Sequence, residues 1–267
     1  MSNIYENYLG ITFIVNGVSR HSFGDFGLYP YAHPEIRPAA PKTHYVDIPA
    51  ADGSIDMTEA LQGYVTYKTR TGRFVCACVD MARYDTALTD VCAFLHGKEA
   101  YIVMDEEPEF KYHGRLTVDK MDCDAVRGII TITAELEPFK RALVDTAASA
   151  ASSILGETIS AWKWDPFNFI DGVIRDYHAI AVTGTDQSPT EVTVVSSPAG
   201  GSIRIHASAS GMKYAYNPDG GAWPTPAALS SGWNSLPEVL LPRAVQEVKF
   251  RFSGSGTVKI EFTPGYL

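Results

Sequence analysis

Cysteine is scarce in this chain of 267 residues: four copies, Cys76, Cys78, Cys92 and Cys123, all in the first half. None forms a C-x-x-C pair, which removes the usual spacing of a zinc site. Cys76 and Cys78 stand two apart in the strand-like run Phe74–Val79, so both point to one face, where free cysteines serve as buried apolar filler. No apolar run approaches the roughly 18 residues of a membrane-crossing helix, so no membrane insertion is expected. The start, Met1-Ser-Asn-Ile-Tyr-Glu-Asn7, lacks the basic and apolar segments of a secretory signal, and the expectation is a protein made in the cytoplasm. Blocks of lysine and arginine are missing too. With 31 acids against 22 bases the formal charge is −9, which disfavours a phosphate-tracking groove and sequence-specific nucleic-acid binding. A polyanion could still pass such a surface without adhering, because like charge repels phosphate.

Constellations that carry catalysis are equally sparse. Gly-x-Ser-x-Gly does not occur, and Gly254-Ser-Gly256 lies between two strand-like runs with no helix after it, as a turn rather than a phosphate loop. His33, His44, His96 and His113 lack zinc-ligand spacing. The carboxylates Asp105, Glu106, Glu107 and Glu109 invite calcium, but Pro108 interrupts them and no twelve-residue loop pattern follows, which favours a solvated turn. A glycosidase would need two carboxylates across a sugar, and nothing in the sequence selects a pair. The chain therefore reads as a non-enzyme with no cofactor, no catalytic residues and no metal ligands.

What is present is β-forming sequence with turn punctuation. Ile11–Val15, Asn16-Gly17 and Val18–Phe23 make a hairpin signal. Residues Gly24 to Lys42 hold four prolines among Phe26, Tyr29, Tyr31 and His33, which reads as an extended arm whose aromatics lie against something. Next comes a corner: Val46 and Ile48 alternate with Asp47 as a half-buried strand would, Pro49 ends the run, Asp52-Gly53 turns it, and Ser54–Asp56 resumes the alternation. Met57–Tyr67 and Phe74–Val79 read as a strand pair with Thr71-Gly72 between them. Asp85 caps a helix in which Leu88, Val91, Cys92 and Leu95 repeat at helical spacing before the His96-Gly97 stop. Tyr101–Met104, Phe110–Val118 and Ile129–Leu136 are strands, the first two joined by the acidic turn and the last preceded by a turn at Ala125–Gly128.

The fold class is mainly β: an α+β N-terminal domain over residues 1–142, one helix laid on a sheet, then a β-sandwich over 154–267. The small-residue stretch Leu143–Ser153 is the linker between them. Strands of the second domain are expected at Ala179–Val182, Thr190–Val195, Ser202–Ala207, Met212–Tyr216, Val248–Phe252 and Val258–Phe262. Trp162, Trp164, Trp223 and Trp233 all fall in this half. They fill the sandwich core or its rim, or, for Trp223 and Trp233 in turn-like surroundings, stack on a saccharide.

Taken in order, these features resemble the distal tail protein (Dit) family of long-tailed, non-contractile bacteriophages. The resemblance is carried by Asn16-Gly17 with Phe26-Gly-Leu28, and by the corner residues Ile48, Pro49, Asp52 and Gly53 with Ile55-Asp56. Phe94–Lys98, the turn Asp105–Glu109, Tyr112–Arg115 and Glu137–Lys140 follow at the family's spacing. In the second half Phe167–Phe169, Gly172–Ile174, Gly254–Phe262 and Gly265–Leu267 extend it over nearly the whole chain. Ala50 stands where the family often has glycine, and Leu136 where it often has cysteine.

The resemblance implies a homohexameric ring at the virion tail tip, made in the cytoplasm of a host bacterium, with galectin-like or carbohydrate-module-like sandwiches outside. The ring would join the major tail tube protein to a baseplate or fibre protein and let DNA pass without specific binding. The arm, with Phe26, Tyr29, Tyr31 and His33, would embrace the neighbouring subunit. The alternative is a carbohydrate-binding adhesion module of the tail that recognises host wall polysaccharide through Trp223 and Trp233.

Overall fold

The computed structural model describes residues 10–49, 52–60, 62–123, 128–143, 152–153, 158–159 and 180–267. The chain forms two compact units, Met1–Lys140 with Leu267 and Arg141–Tyr266. The architecture is mainly β with a single short α-helix among the described residues.

In the first unit β1 (Ile11–Val15) and β2 (Val18–His21) form the opening hairpin. Asn16 and Gly17 both take positive φ, 50° and 79°. That pair of angles defines a turn whose twist matches the flanking strands, and glycine adopts it without steric cost. β3 (Leu28–Pro30), β4 (Glu35–Ile36), β7 (Arg70–Cys78), β8 (Glu99–Met104), β9 (Phe110–Cys123) and β10 (Gly128–Leu136) complete a sheet ordered β2-β1-β8-β9-β10-β7-β3, with β4 also on β7. Every pairing along that order is antiparallel. β5 (Tyr45–Asp47) and β6 (Ser54–Asp56) pair only with each other.

The core of this unit is one cluster. Phe13 and Phe74 meet edge to face at 6.3 Å, surrounded by Ile102, Leu116, Ile130, Ile132 and Leu136. Helix α1 (Tyr84–Leu95) adds Tyr84, Ala87, Val91 and Leu95 from one face, the stripe expected of an amphipathic helix. Its entry differs from the sequence reading. Asp85 lies in the first turn of α1, while the capping is done by Asp80, whose carboxylate accepts from the Ala82 N–H at 3.0 Å and opens a short 3-10 turn over Met81–Arg83. The exit is as expected, with Gly97 at φ 74°.

Two further expectations are corrected here. Thr71 and Gly72 lie inside β7, not in a turn, and the described part of Met57–Tyr67 holds no strand beyond an isolated Pro41–Tyr67 bridge. Gly72 is opposite Ala134 in the ladder, so a glycine that resembles punctuation is a pairing position. Within the proline-rich segment, Leu28–Pro30 and Glu35–Ile36 pair with β7 as edge strands. Edge positions tolerate proline because one side of the strand needs no donor.

β11 (Lys140–Ala142) begins at the last residue of the first unit's main segment, and β12 (Ser152–Ser153) pairs with β13 (Thr158–Ile159). The body of the second unit is two four-stranded antiparallel sheets. One runs β14 (Ile180–Val182), β21 (Gly256–Glu261), β16 (Gly201–Ala207), β19 (Gly232–Leu241); the other β15 (Thr190–Val195), β20 (Glu247–Ser253), β17 (Lys213–Asn217), β18 (Ala227–Ala228). β22 (Gly265–Tyr266) closes the chain. Ile203, Ile205, Val258 and Ile260 from the first sheet and Val194, Tyr214, Phe250 and Phe252 from the second bury against one another, which makes a sandwich. The six strands expected from the sequence are present; β19 is an addition. Trp162, Trp164, Phe167–Phe169, Gly172–Ile174, Ala50 and most of the expected linker fall outside the described residues.

Candidate interaction surfaces

Among the described residues of the first unit, the corner at residues 45–57 gathers five exposed apolar side chains. Tyr45 is 57%, Val46 42%, Ile48 44%, Ile55 49% and Met57 42% exposed. Val46 faces Ile55 across the strands, Tyr45 faces Asp56 and Asp47 faces Ser54. The alternation was read as a half-buried strand; instead both faces of the ribbon meet solvent. Local polar contacts shape it: the Asp56 carboxylate accepts from the Thr58 N–H at 2.9 Å, and Thr58 Oγ1 accepts from the His44 N–H at 3.1 Å. The Thr58 bonds hold the Asp56 carboxyl below its ordinary range. Pro49 and Asp52 flank the tip, and Gly53 takes φ 79°.

The four aromatic residues of the preceding segment part company. Phe26 is buried in its own core against Phe94, ring centroids 5.8 Å apart, with the Arg20 guanidinium over both rings. It is therefore withdrawn from any surface role. Tyr29 is opposite Ala77 on β7, and the Tyr31 N–H donates to the Val75 carbonyl at 2.8 Å. Tyr31 is 47% exposed, and His33 pairs with Glu106 at 2.8 Å.

The acidic turn joins several parts of the first unit. Asp105 Oδ2 accepts from the Gly10 N–H at 2.6 Å and meets His21 Nε2 at 3.1 Å. Burial raises its pKa, but the His21 hydrogen bond, the Gly10 N–H and the nearby imidazole outweigh that, leaving the carboxyl below its ordinary value. Glu107 accepts from Tyr112 Oη at 3.0 Å and pairs with Lys140. These carboxylates serve as internal ties.

Of the two described tryptophans, both in the second unit, one lies on a strand and the other in a loop. Trp233, on β19, is 46% exposed, with His206 edge-on at 5.2 Å and the Arg204 guanidinium 5.0 Å from its ring. Trp223 precedes β18 and lines a cavity of about 140 Å³ with Asp186, Ala215, Arg251 and Ser253. The Arg251 guanidinium stacks 4.0 Å from its ring centroid and binds Glu191. Lys213 and Ser253 each donate to Asp186 at 2.5 Å, and these bonds hold its carboxyl below the ordinary range. Sequence reasoning selected Trp223 but not Asp186 or Arg251; only the strand register unites residues so far apart, pairing Lys213 with Ser253 and Ala215 with Arg251.

No family model matches the chain, and no curated protein does. Among solved structures it matches the Dit protein (gp 19.1) of phage SPP1, described as a paradigm of the hub adsorption apparatus in phages infecting Gram-positive bacteria. The TM-score is 0.54 at 13% sequence identity, over 96% of this chain and 99% of that one. Over that share of its length the chain thus resembles SPP1 Dit in fold.

Proposed function

We propose that this protein is a structural component of a bacteriophage tail tip: a distal tail protein that assembles into a homohexameric ring. The carrying observation is the fold likeness to SPP1 Dit along 96% of the chain. In this reading the ring joins the major tail tube protein to a baseplate or fibre protein, and the central channel passes DNA. A formal charge of −9 per chain suits a conduit to which phosphate does not adhere.

The hairpin β5–β6 is the contact to a neighbouring copy. An isolated two-stranded ribbon is marginal in water, and its exposed Val46, Ile48 and Ile55 gain a reason to be apolar when another subunit covers them. The segment Gly24–Lys42 is less suited, because its strands complete the chain's own sheet; deleting it would damage the fold before it tested assembly.

Negative-stain electron microscopy with a mass measurement tests both parts. The purified protein is expected as a six-fold ring, and the double variant Val46→Lys with Ile55→Glu, whose facing side chains carry opposite charges, as a folded monomer. Both sites are exposed, so monomer stability should change by no more than about 0.5 kcal/mol per site. Wild-type protein lacking six-fold particles sinks the ring; a double variant that assembles like wild type sinks the role of the hairpin.

A further inference from the structure

We propose that Asn16 is a site of spontaneous deamidation, held intact by the β1–β2 turn and exposed to the reaction each time that hairpin opens.

The surroundings single out this asparagine. Asn16 and Gly17 are both exposed at the hairpin tip. A Cβ added to Gly17 would meet nothing within 4 Å, so no side chain, its own or a neighbour's, shields its backbone nitrogen. The two other described asparagines each lack a requirement. Asn217 precedes Pro218, which has no N–H to serve as nucleophile. Asn234 has its carboxamide fixed: Nδ2 donates to the carbonyls of Ile205, Ser230 and Gly232, and Oδ1 accepts from the Ser230 N–H. At Asn16 the Gly17 nitrogen, having given its proton to a solvent base, attacks Cγ. A C–N bond forms, Nδ2 takes up a proton and leaves as ammonia, and a cyclic imide remains. Water then opens the imide. Addition at Cγ gives aspartate, whereas addition at the main-chain carbon gives isoaspartate, in which the backbone runs through Cβ.

The closed turn forbids that attack. With φ 50° at Asn16 and 79° at Gly17, the loop is the mirror image of a type I turn, in which the first central residue has ψ of about +30°. At that angle the Gly17 nitrogen lies nearly opposite Cβ about the Cα–C bond of Asn16, whereas ring closure needs the two on the same side. The required rotation breaks the pairing of Val15 with Val18 that closes the ladder. The gate is light. β2 is the edge strand of its sheet and is exposed at Val18, Ser19 and Arg20, so its release uncovers little apolar surface, as in local opening of low cost. β1 meanwhile stays paired with β8.

The two products differ in fate. Aspartate followed by glycine suits the same turn, so the hairpin re-forms with one more negative charge. Isoaspartate lengthens the backbone by a methylene, which a two-residue loop of fixed twist does not accommodate, and β2 stays frayed.

The test follows the full-length protein over weeks at neutral pH, native and in urea, by peptide mass spectrometry at Asn16, Asn217 and Asn234, with isoaspartate counted by isoaspartyl methyltransferase. Asn16 is expected to convert in both, at least about tenfold more slowly in the native protein, while Asn217 and Asn234 remain amides there. Gly17→Ala, whose methyl hinders the nucleophile, should slow conversion in urea, where no turn protects either chain. Hydrogen exchange on the aged native protein, resolved on the separated peptides, should be faster through β2 in the isoaspartyl form and unchanged in the aspartyl form. The proposal is overturned if Asn16 stays an amide in urea or in the native protein, if the two rates are equal, if native Asn234 converts as fast, or if isoaspartyl β2 exchanges like the unmodified strand.

Discussion

Asp105 ties the start of β1 to the turn between β8 and β9, since its carboxylate is shared by the Gly10 N–H and the His21 ring. Its folded pKa lies below the ordinary carboxylate value, and the unfolded chain titrates near pH 3.9. A depressed carboxyl stabilises the fold above the unfolded value, and that contribution fades as pH falls through the folded one. Asp105→Asn is therefore expected to cost about 2 kcal/mol at pH 7, with the gap to wild type closing as pH drops below about 4. Urea unfolding of both proteins from pH 7 to pH 3 measures this; a gap that stays constant would show that the carboxylate's charge is not linked to folding. Cys76 is a second residue-scale case. It is fully buried in the core, and burial pushes its thiol up to about 12, so almost no thiolate forms at neutral pH. Iodoacetamide at pH 8 should leave Cys76 unmodified in the native protein and label it in urea; native labelling would contradict its place in the core.

At the scale of elements, the legible parts were those written in local pattern. Asn16-Gly17 foretold β1–β2, and the spacing of Val91 and Leu95 with Gly97 foretold α1 to within a turn. The turn makes its own prediction. Gly17 sits at φ 79° with open space where a Cβ would be, so Gly17→Ala meets strain without a clash, at about 1 kcal/mol in thermal or urea unfolding; no loss would mean the turn re-forms in another geometry. What pattern missed depended on neighbours. β19 runs ten residues through Pro237 and Glu238, and it can do so because it is the edge strand of its sheet. The alternation at Val46–Ile48 gave the correct period and the wrong burial, because period says which residues share a face but not whether anything covers it. Phe26 failed in the opposite sense: proline-rich context placed it on a surface, while Phe94 on α1 takes it into the core. The Trp223 cavity was half legible, since a tryptophan followed by Pro224 and Pro226 is visible in sequence, but its polar residues depend on register across β15, β20 and β17.

In the proposed ring, net charge and the apolar hairpin would act in opposite directions. Each chain carries a formal −9, so six copies would gather a large like charge that opposes closure, while burial of Val46, Ile48 and Ile55 between copies would favour it. Salt separates the two. Raising ionic strength from about 0.01 M to 0.15 M shortens the screening length from about 30 Å to 8 Å, which weakens repulsion between subunits and leaves apolar burial intact. Assembly is therefore expected to tighten with salt, the particle moving from 29.1 kDa monomers toward about 175 kDa over that range. Sedimentation velocity at two protein concentrations reads this directly. The opposite trend, dissociation on adding salt, would mean that ion pairs hold the copies together, and the contact would then have to lie on a charged surface rather than on the β5–β6 ribbon.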